Sequence, residues 1–262
     1  MRWCAAILLL GAAPLWPASS PPSVNVIIQR SVQANQRDWQ AAPQYDYMER
    51  DQTGKGTRTY QVSMILGTPY RRLVAIDRKP LLSGRQAQEQ RKMEAAMAGR
   101  QRESPGRREA RVASYRRERH AEHLLIEQLT EAFDFRLVGQ RTLDGRPAYL
   151  LQANPRPGYN PPNRDSRVLR GMQGELWIDA QTYQWMKVTA VVIRPVQIVG
   201  LLARVEPGTS FELEYRAVMP DIWLPVHYAM KATATVLGMF RHAIQDDESY
   251  YGYQKAGPQA AI

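Results

Sequence analysis

The sequence predicts an α+β protein in which a curved antiparallel sheet of about eleven strands, a half-barrel, is covered by about three helices. Residues 209–218 alternate strictly between apolar and polar side chains, which is the period-two pattern of a half-buried strand. The alternation continues over 222–236, which is longer than the roughly 3–10 residues of most strands. Residues 83–131 are instead rich in Ala, Gln, Glu and Arg, which favours helix. Long strands in one meander make a large apolar face, which helices or a ligand must cover.

The predicted elements follow in the order helix, three strands, two helices and eight strands. Residues 22–40 form the first helix, because apolar side chains recur every three or four positions and Ser23 can cap its start. The sequence Ser-Pro-Gly at 104–106 divides the second helical segment in two. Turn-forming residues separate strands expected at 44–51, 57–66, 70–77, 133–140, 146–153, 172–179, 185–194, 196–205, 209–218, 222–236 and 239–251.

Residues 1–20 are predicted to be an export signal that is cleaved. Arg2 supplies the positive start, and the apolar run at 4–13 is too short for a membrane-spanning helix, which needs about 20 residues. A retained N-terminal anchor is the alternative. We therefore expect a periplasmic protein with one domain over 21–262. Cys4 is the only cysteine, so the mature chain would have neither disulfides nor thiol chemistry.

Positive charge is concentrated in the second helical segment. Residues 85–119 contain eleven Lys or Arg and five Glu, which is +6 of the total net charge of +10. The functional interpretation is docking to an anionic membrane surface or to a membrane protein partner, and the alternative is a solvated helix. Nucleic acid is disfavoured because an exported protein rarely meets it. The candidate docking residues are Arg107, Arg108, Arg111, Arg116 and Arg117.

Catalytic patterns are scarce. The sequence has no nucleophile elbow, phosphate loop, HExxH motif or cysteine nucleophile. His120 and His123 have an i, i+3 spacing that could hold a metal, but solvated side chains are favoured, and a structural hydrogen bond is expected for His227. Asp246 and Glu248 are expected on an edge strand, where they deter edge pairing rather than act in acid–base chemistry. We therefore expect no enzyme, no cofactor and no metal.

The apolar rows of the predicted strands are more informative. They mix small residues with flexible methionines and aromatic rings, which suits either an ordinary core or an adaptable cavity for an acyl chain. Each buried methylene contributes about 0.8 kcal/mol, so an acyl chain gains on the order of 10 kcal/mol before ordering costs. The candidate ligand-binding residues are Leu176, Ile178, Met186, Val188, Ala190, Val192, Phe211, Leu213, Tyr215, Val226, Tyr228 and Met230, with Met93 and Met97 contributed by the helical segment.

Short motifs in the second half of the chain resemble a known family. GELWID at 174–179 and AQTYQWMKVTA at 180–190 are similar to the strand–turn–strand of periplasmic outer-membrane lipoprotein-sorting proteins, the LolA-like superfamily. YLLQANP at 149–155, GTSFELEY at 208–215 and DIWLP at 221–225 resemble further strands of that family. The resemblance covers most of residues 24–253.

The resemblance implies an incomplete β-barrel with helices, here 83–131, as a lid over an apolar cavity. Members of the family act as transport chaperones that carry lipoprotein acyl chains across the periplasm. The function it implies is an exported, monomeric binding protein for lipoprotein or lipid acyl chains. Related sensors use the same fold to bind a protein partner, so the alternative is a regulatory module that binds its partner through the basic helices.

Overall fold

The computed structural model describes residues 22–199, 203–236 and 240–260, and it confirms the predicted α+β class. The helices are α1 (Val24–Ala41), α2 (Ser83–Gln101), α3 (Pro105–Glu127) and α4 (Leu129–Ala132). The strands are β1 (Tyr45–Thr53), β2 (Gly56–Ile65), β3 (Thr68–Ile76), β4 (Lys79–Pro80), β5 (Phe133–Leu143), β6 (Arg146–Pro155), β7 (Met172–Asp179), β8 (Trp185–Val192), β9 (Val196–Val199), β10 (Ala203–Val205), β11 (Ser210–Met219), β12 (Ile222–Val236) and β13 (Phe240–Lys255).

The strands form one antiparallel sheet in the order β4-β3-β2-β1-β13-β12-β11-β8-β7-β6-β5. β10 pairs with β12 beyond the end of β11, and β9 pairs with β10. Among the described residues, β4 and β5 form the two edges of this path, so the sheet is open. β13 lies between β1 and β12, and the prediction that Asp246 and Glu248 occupy an edge strand is therefore wrong.

The element bounds differ from the sequence prediction in a few places. The strand expected at 196–205 is two short antiparallel strands, β9 and β10, and residues 200–202 between them lie outside the described residues. The two-residue strand β4 was not predicted, because an element this short leaves no periodicity to detect. The single-turn helix α4 lies at the end of the predicted helical segment 83–131, but its separation from α3 was not predicted. The predicted export signal also lies outside the described residues.

One face of the sheet, which we name the covered face, is packed against α1. The register pairs Leu151 with Leu176, Leu176 with Val188 and Val188 with Leu213, so these side chains share that face. Ser23 caps α1 by accepting a hydrogen bond from the Val26 amide at 3.5 Å. Side chains of α1 and of the covered face together form a hydrophobic cluster, which we name the α1 cluster. It consists of Ile27, Ile28, Ala148, Tyr149, Leu151, Leu176, Ile178, Trp185, Met186, Tyr215 and Trp223.

A second cluster, which we name the loop cluster, forms where the connection between β6 and β7 folds back on the covered face. A 3-10 helix at Asp165–Gly171 ends against the segment after β8. The approach is so close that a Cβ on Gly171 would lie 2.4 Å from Val196 Cγ2 and 2.8 Å from the Arg194 carbonyl oxygen. The cluster consists of Ala132, Phe133, Ala153, Tyr159, Leu169, Met172, Val192 and Val196.

The two long basic helices make different contacts: α2 attaches to the sheet through an arginine, and α3 contacts α1 through stacked rings. In α2, Arg100 donates to the carbonyl oxygens of Ile65, Thr68 and Pro69 at 2.9–3.1 Å. In α3, His123 stacks on Trp39 of α1 with ring centroids 4.4 Å apart. None of the helices in the described part of the chain is long and apolar enough to cross a membrane.

Candidate functional site

Between the α1 cluster and the loop cluster, the covered face carries apolar side chains that remain partly exposed. Ala190 pairs with Phe211 and Phe211 with Met230, while the neighbouring row joins Val188, Leu213 and Tyr228. Val188 and Leu213 pack against the α1 cluster, and Ala190 and Phe211 pack against the loop cluster. We name these residues the apolar strip: Val188, Ala190, Phe211, Leu213, Tyr228 and Met230. These six side chains share one face and are partly exposed, so a ligand can contact them without movement of α1 or the loop cluster.

The other strand residues predicted to bind a ligand occupy different environments. Val226 is partly exposed and lies at a bulge in the pairing of β11 with β12. Five residues are buried among the chain's own side chains, with exposed fractions of 6% or less, so a ligand would contact them only if α1 or the loop cluster moved. These five are Leu176, Ile178, Met186 and Tyr215 in the α1 cluster and Val192 in the loop cluster.

The structure does not bring the two predicted helix residues, Met93 and Met97, to the strip. Both lie on α2, which packs against β3, and both are partly exposed. Three strands, β2, β1 and β13, separate β3 from β12. Any contribution of these methionines to a ligand site would have to come from a different arrangement of α2.

Towards β13, the strip ends in carboxylates and tyrosines. Met230 pairs with Asp246 and Tyr228 with Glu248, which accepts a hydrogen bond from the Tyr250 hydroxyl. Burial raises the pKa of Tyr250 above its ordinary value, and the hydrogen bond to Glu248 acts in the same direction. The strip therefore has one polar margin, at β13, and two apolar ends at the clusters.

A buried carboxyl group, Asp38, lies beside the α1 cluster. Its side chain is 3% exposed, and its Oδ1 accepts a hydrogen bond from the Trp223 amide at 3.1 Å. Burial raises the pKa of Asp38 to about 7, although the Trp223 hydrogen bond and Arg37 act to lower it. Asp38 was not predicted, because the sequence pattern of the first helix was read from its apolar side chains.

The opposite face of the sheet, which we name the outer face, holds a shallow polar cavity of about 600 Å³. The register pairs Gln152 with Glu175, Glu175 with Thr189 and Thr189 with Glu212, which places these side chains on the outer face. The cavity is also lined by Lys231 and Asp247. This cavity was not predicted from the sequence, because polar positions of an amphipathic strand are ordinarily solvated.

Charged residues beside this cavity compensate one another. The Lys187 ammonium lies 2.8 Å from Glu212 and 3.0 Å from Glu214. His227 lies 3.4 Å from Asp247 through Nε2. Glu212, Glu214 and His227 are close enough together to hold a metal ion, but Lys187 already supplies the positive charge between the two carboxylates.

The predicted docking residues on α3 differ in how freely they can act. Arg107, Arg116 and Arg117 are exposed, and no ion pair joins them to the described residues. Arg108 is partly buried. Arg111 binds Glu103 through two nitrogens and also donates to the Leu66 carbonyl, so it fastens α3 to the β2–β3 turn. The two histidines with i, i+3 spacing also differ. His120 is exposed as expected, whereas the expectation of a solvated His123 is wrong, because this side chain is buried against Trp39 and hydrogen-bonded to Gln36.

The fold and these surfaces define an α+β protein with an open antiparallel sheet, one face covered by helices and the other polar. No family model matches the chain, and no curated protein matches it. Several solved structures do match, and one of them is a protein of the LolA superfamily, which the sequence motifs resemble.

Three of these structures describe the similarity. A LolA superfamily protein from Nitrosomonas europaea is 10% identical, with 90% of this chain and 94% of that one covered and a TM-score of 0.32. A DUF1329 family protein from Desulfovibrio piger is 10% identical over 90% and 94% of the two chains, with a TM-score of 0.35. A putative outer membrane lipoprotein-sorting protein domain from Vibrio parahaemolyticus is 11% identical over 87% and 92%, with a TM-score of 0.32. At these values the similarity carries no argument about function.

Proposed function

We propose that this chain is an exported periplasmic protein that holds the acyl chains of lipids or lipoproteins on the covered face of its sheet and catalyses no reaction. The observation that supports the proposal is the apolar strip. Six apolar side chains from three neighbouring strands share one face and remain partly exposed, while the clusters on both sides are buried. A partly exposed row of apolar side chains, bounded by packed side chains, is the kind of surface on which an apolar ligand can lie.

The energetics favour an apolar chain as the occupant. Each methylene that leaves water for the strip contributes about 0.8 kcal/mol, so the contact needs few polar groups. Ala190 leaves room beside Phe211, and Met230 adapts to an irregular surface. The predicted export signal supports a periplasmic location, where acyl chains of lipids and lipoproteins would be the available ligands.

A second candidate function is the binding of an acidic protein partner by a regulatory module of the same fold. The observation that favours it is the set of three exposed arginines on α3, Arg107, Arg116 and Arg117. Partner binding at α3 does not require the strip to be occupied. The two functions are therefore separable by variants.

The experiment that tests the first proposal compares two methionines. Met230 is on the strip, whereas Met219 is 37% exposed near the turn between β11 and β12. Native mass spectrometry of the mature chain, purified without detergent, should detect bound lipid, and titration with a fluorescent fatty acid should give a dissociation constant. We expect Met230→Glu to weaken fatty-acid binding at least tenfold, because it places a charge against the acyl chain. Met219→Glu is the matched control and should bind like the wild type.

Two results would count against the proposal. One is a wild-type chain that carries no lipid and takes up no fatty acid. The other is full binding by a folded Met230→Glu variant, since the strip would then not be the site. In either case the acidic-partner function would be tested next, with charge reversal of Arg107, Arg116 and Arg117.

A further inference from the structure

A small cavity lined by arginine lies beside the loop cluster. Its volume is about 260 Å³, and its lining residues are Arg167, Arg170, Arg194, Pro195, Val196 and Gln197. Half of these residues are arginine and none is acidic. The single carboxylate in residues 159–173 is Asp165. The volume is below the roughly 300–1,000 Å³ of pockets for drug-sized ligands, so the cavity suits a small anionic group.

Two of the arginines are held in place by neutral oxygens. Arg170 donates from Nε to the Tyr159 carbonyl at 3.1 Å and from Nη2 to Asn160 Oδ1 at 3.2 Å. Arg194 donates from Nε to the Arg170 carbonyl at 3.1 Å, and from Nη2 to the same oxygen. Because carbonyl and amide oxygens carry no net charge, these bonds orient both guanidinium groups without neutralising them.

Each of these guanidinium groups keeps donors for a ligand. Among the described residues, Nη1 of Arg170 and Nη1 of Arg194 make no hydrogen bond, and neither arginine forms an ion pair. Arginine offers several N–H donors in a planar fork that matches the oxygens of a phosphate, and such charge-assisted bonds are among the strongest in proteins. Guanidinium groups that are already oriented lose little freedom when they bind.

The cavity and the apolar strip both border the loop cluster. Val196 lines the cavity and also belongs to the loop cluster, against which Ala190 and Phe211 of the strip pack. An amphiphile with a phosphate at one end could therefore place that group between the arginines and its chains on the strip. The close approach of Gly171 to Val196 and to the Arg194 backbone holds the two arginine-bearing segments together.

We propose that Arg170 and Arg194 bind a phosphate group. The source is either a lipid head group, whose chains would lie on the apolar strip, or a small soluble phosphate ester. The lipid source rests on the proposed function, whereas phosphate binding by itself does not.

The test measures the binding of three probes to the full mature chain by isothermal titration calorimetry, in phosphate-free, low-salt buffer. The probes are glycerol 3-phosphate, dihexanoylphosphatidylglycerol below its micelle concentration, and dihexanoylglycerol, which lacks phosphate. The variant is Arg170→Gln/Arg194→Gln. The control, Arg58→Gln/Arg141→Gln, removes the same charge from exposed positions on β2 and β5. A single Arg194→Gln variant serves if the double variant fails to fold.

We expect the arginine variant to bind the phospholipid about tenfold or more weakly, with dihexanoylglycerol and the control unchanged. Arginine-dependent binding of glycerol 3-phosphate without binding of either lipid would support the phosphate site and refute the acyl-binding function. The proposal would be overturned if the wild type bound neither phosphate probe, or if the variant bound them as tightly as the wild type. The proposal would also be overturned if the binding of dihexanoylglycerol weakened equally, because the arginines would then act only by maintaining the fold.

Discussion

The two faces of the sheet are built from alternating residues of the same strands, yet they are stabilised in different ways. In β8, Met186 and Val192 are buried on the covered face, while Lys187 points to the outer face and pairs with Glu212 and Glu214. The covered face is stabilised by burial under α1 and the loop cluster. The outer face is stabilised by polar groups that compensate one another in contact with water. A single strand therefore contributes a large hydrophobic term on one side and a small electrostatic term on the other.

Replacement of a fully buried residue should show the largest difference between the faces. Ile178 has no exposed surface in the α1 cluster, so we expect Ile178→Ala to lower the free energy of unfolding by about 3 kcal/mol, through lost burial and the cavity left behind. Thr189→Ala on the outer face should change it by less than about 0.5 kcal/mol. Urea unfolding followed by circular dichroism measures both values. Equal losses would contradict the difference between the faces.

Asp38 adds a pH dependence to the stability of the covered face, because it places an ionisable group there. Its pKa is raised by burial from 3.8 to about 7, so between about pH 4 and pH 7 the unfolded chain is ionised here while the folded chain keeps its proton. Unfolding then releases a proton, and stability falls as the pH rises through this window. We expect Asp38→Asn, which keeps an oxygen to accept from the Trp223 amide, to remove this part of the pH dependence.

The measurement is the difference in unfolding free energy between the Asn variant and the wild type across pH 4 to 8. It should increase in favour of the variant up to about pH 7 and then level off, at a value on the order of a few kcal/mol. Glu49, whose pKa is also raised by burial, is present in both proteins and cancels. A flat difference across the range would show that Asp38 is ionised in the folded protein.

The ion pairs of the outer face should contribute less than the buried groups of the covered face. Lys187 is 25% exposed and lies between two carboxylates that are themselves partly exposed. We expect Lys187→Met to cost about 1 kcal/mol or less and Lys187→Arg to cost less than that, because solvent weakens ion pairs of this kind. The loss should shrink in 1 M salt, where charges are screened over about 3 Å. A loss as large as that for Ile178→Ala, or one independent of salt, would mean that the outer face is stabilised by packing.

Sequence periodicity predicted most of the strands and helices because burial on one face imposes it. It predicted the apolar rows for the same reason, but it could not say which members α1 would bury, since that depends on how the helix lies across the sheet. Ile178 and Met186 are packed under α1, whereas Phe211 and Met230 are not. The arginine cavity was not predicted, because Arg170 and Arg194 are 24 residues apart and meet only through the fold. The central place of β13 depends on long-range pairing, which no local pattern encodes.

The position of β13 also determines when the sheet can be completed. The strand runs from Phe240 to Lys255 and, in the part of the chain that the structure describes, is the only one that joins the β1–β4 half to the β5–β12 half along the sheet path. Its pairing of Tyr45 with Lys255 closes a loop of about two hundred residues. A ribosome releases this strand after the other strands of the sheet. The first hairpins must therefore wait with an open edge until β13 has emerged, so completion of the sheet should be slow and dependent on protection of that edge.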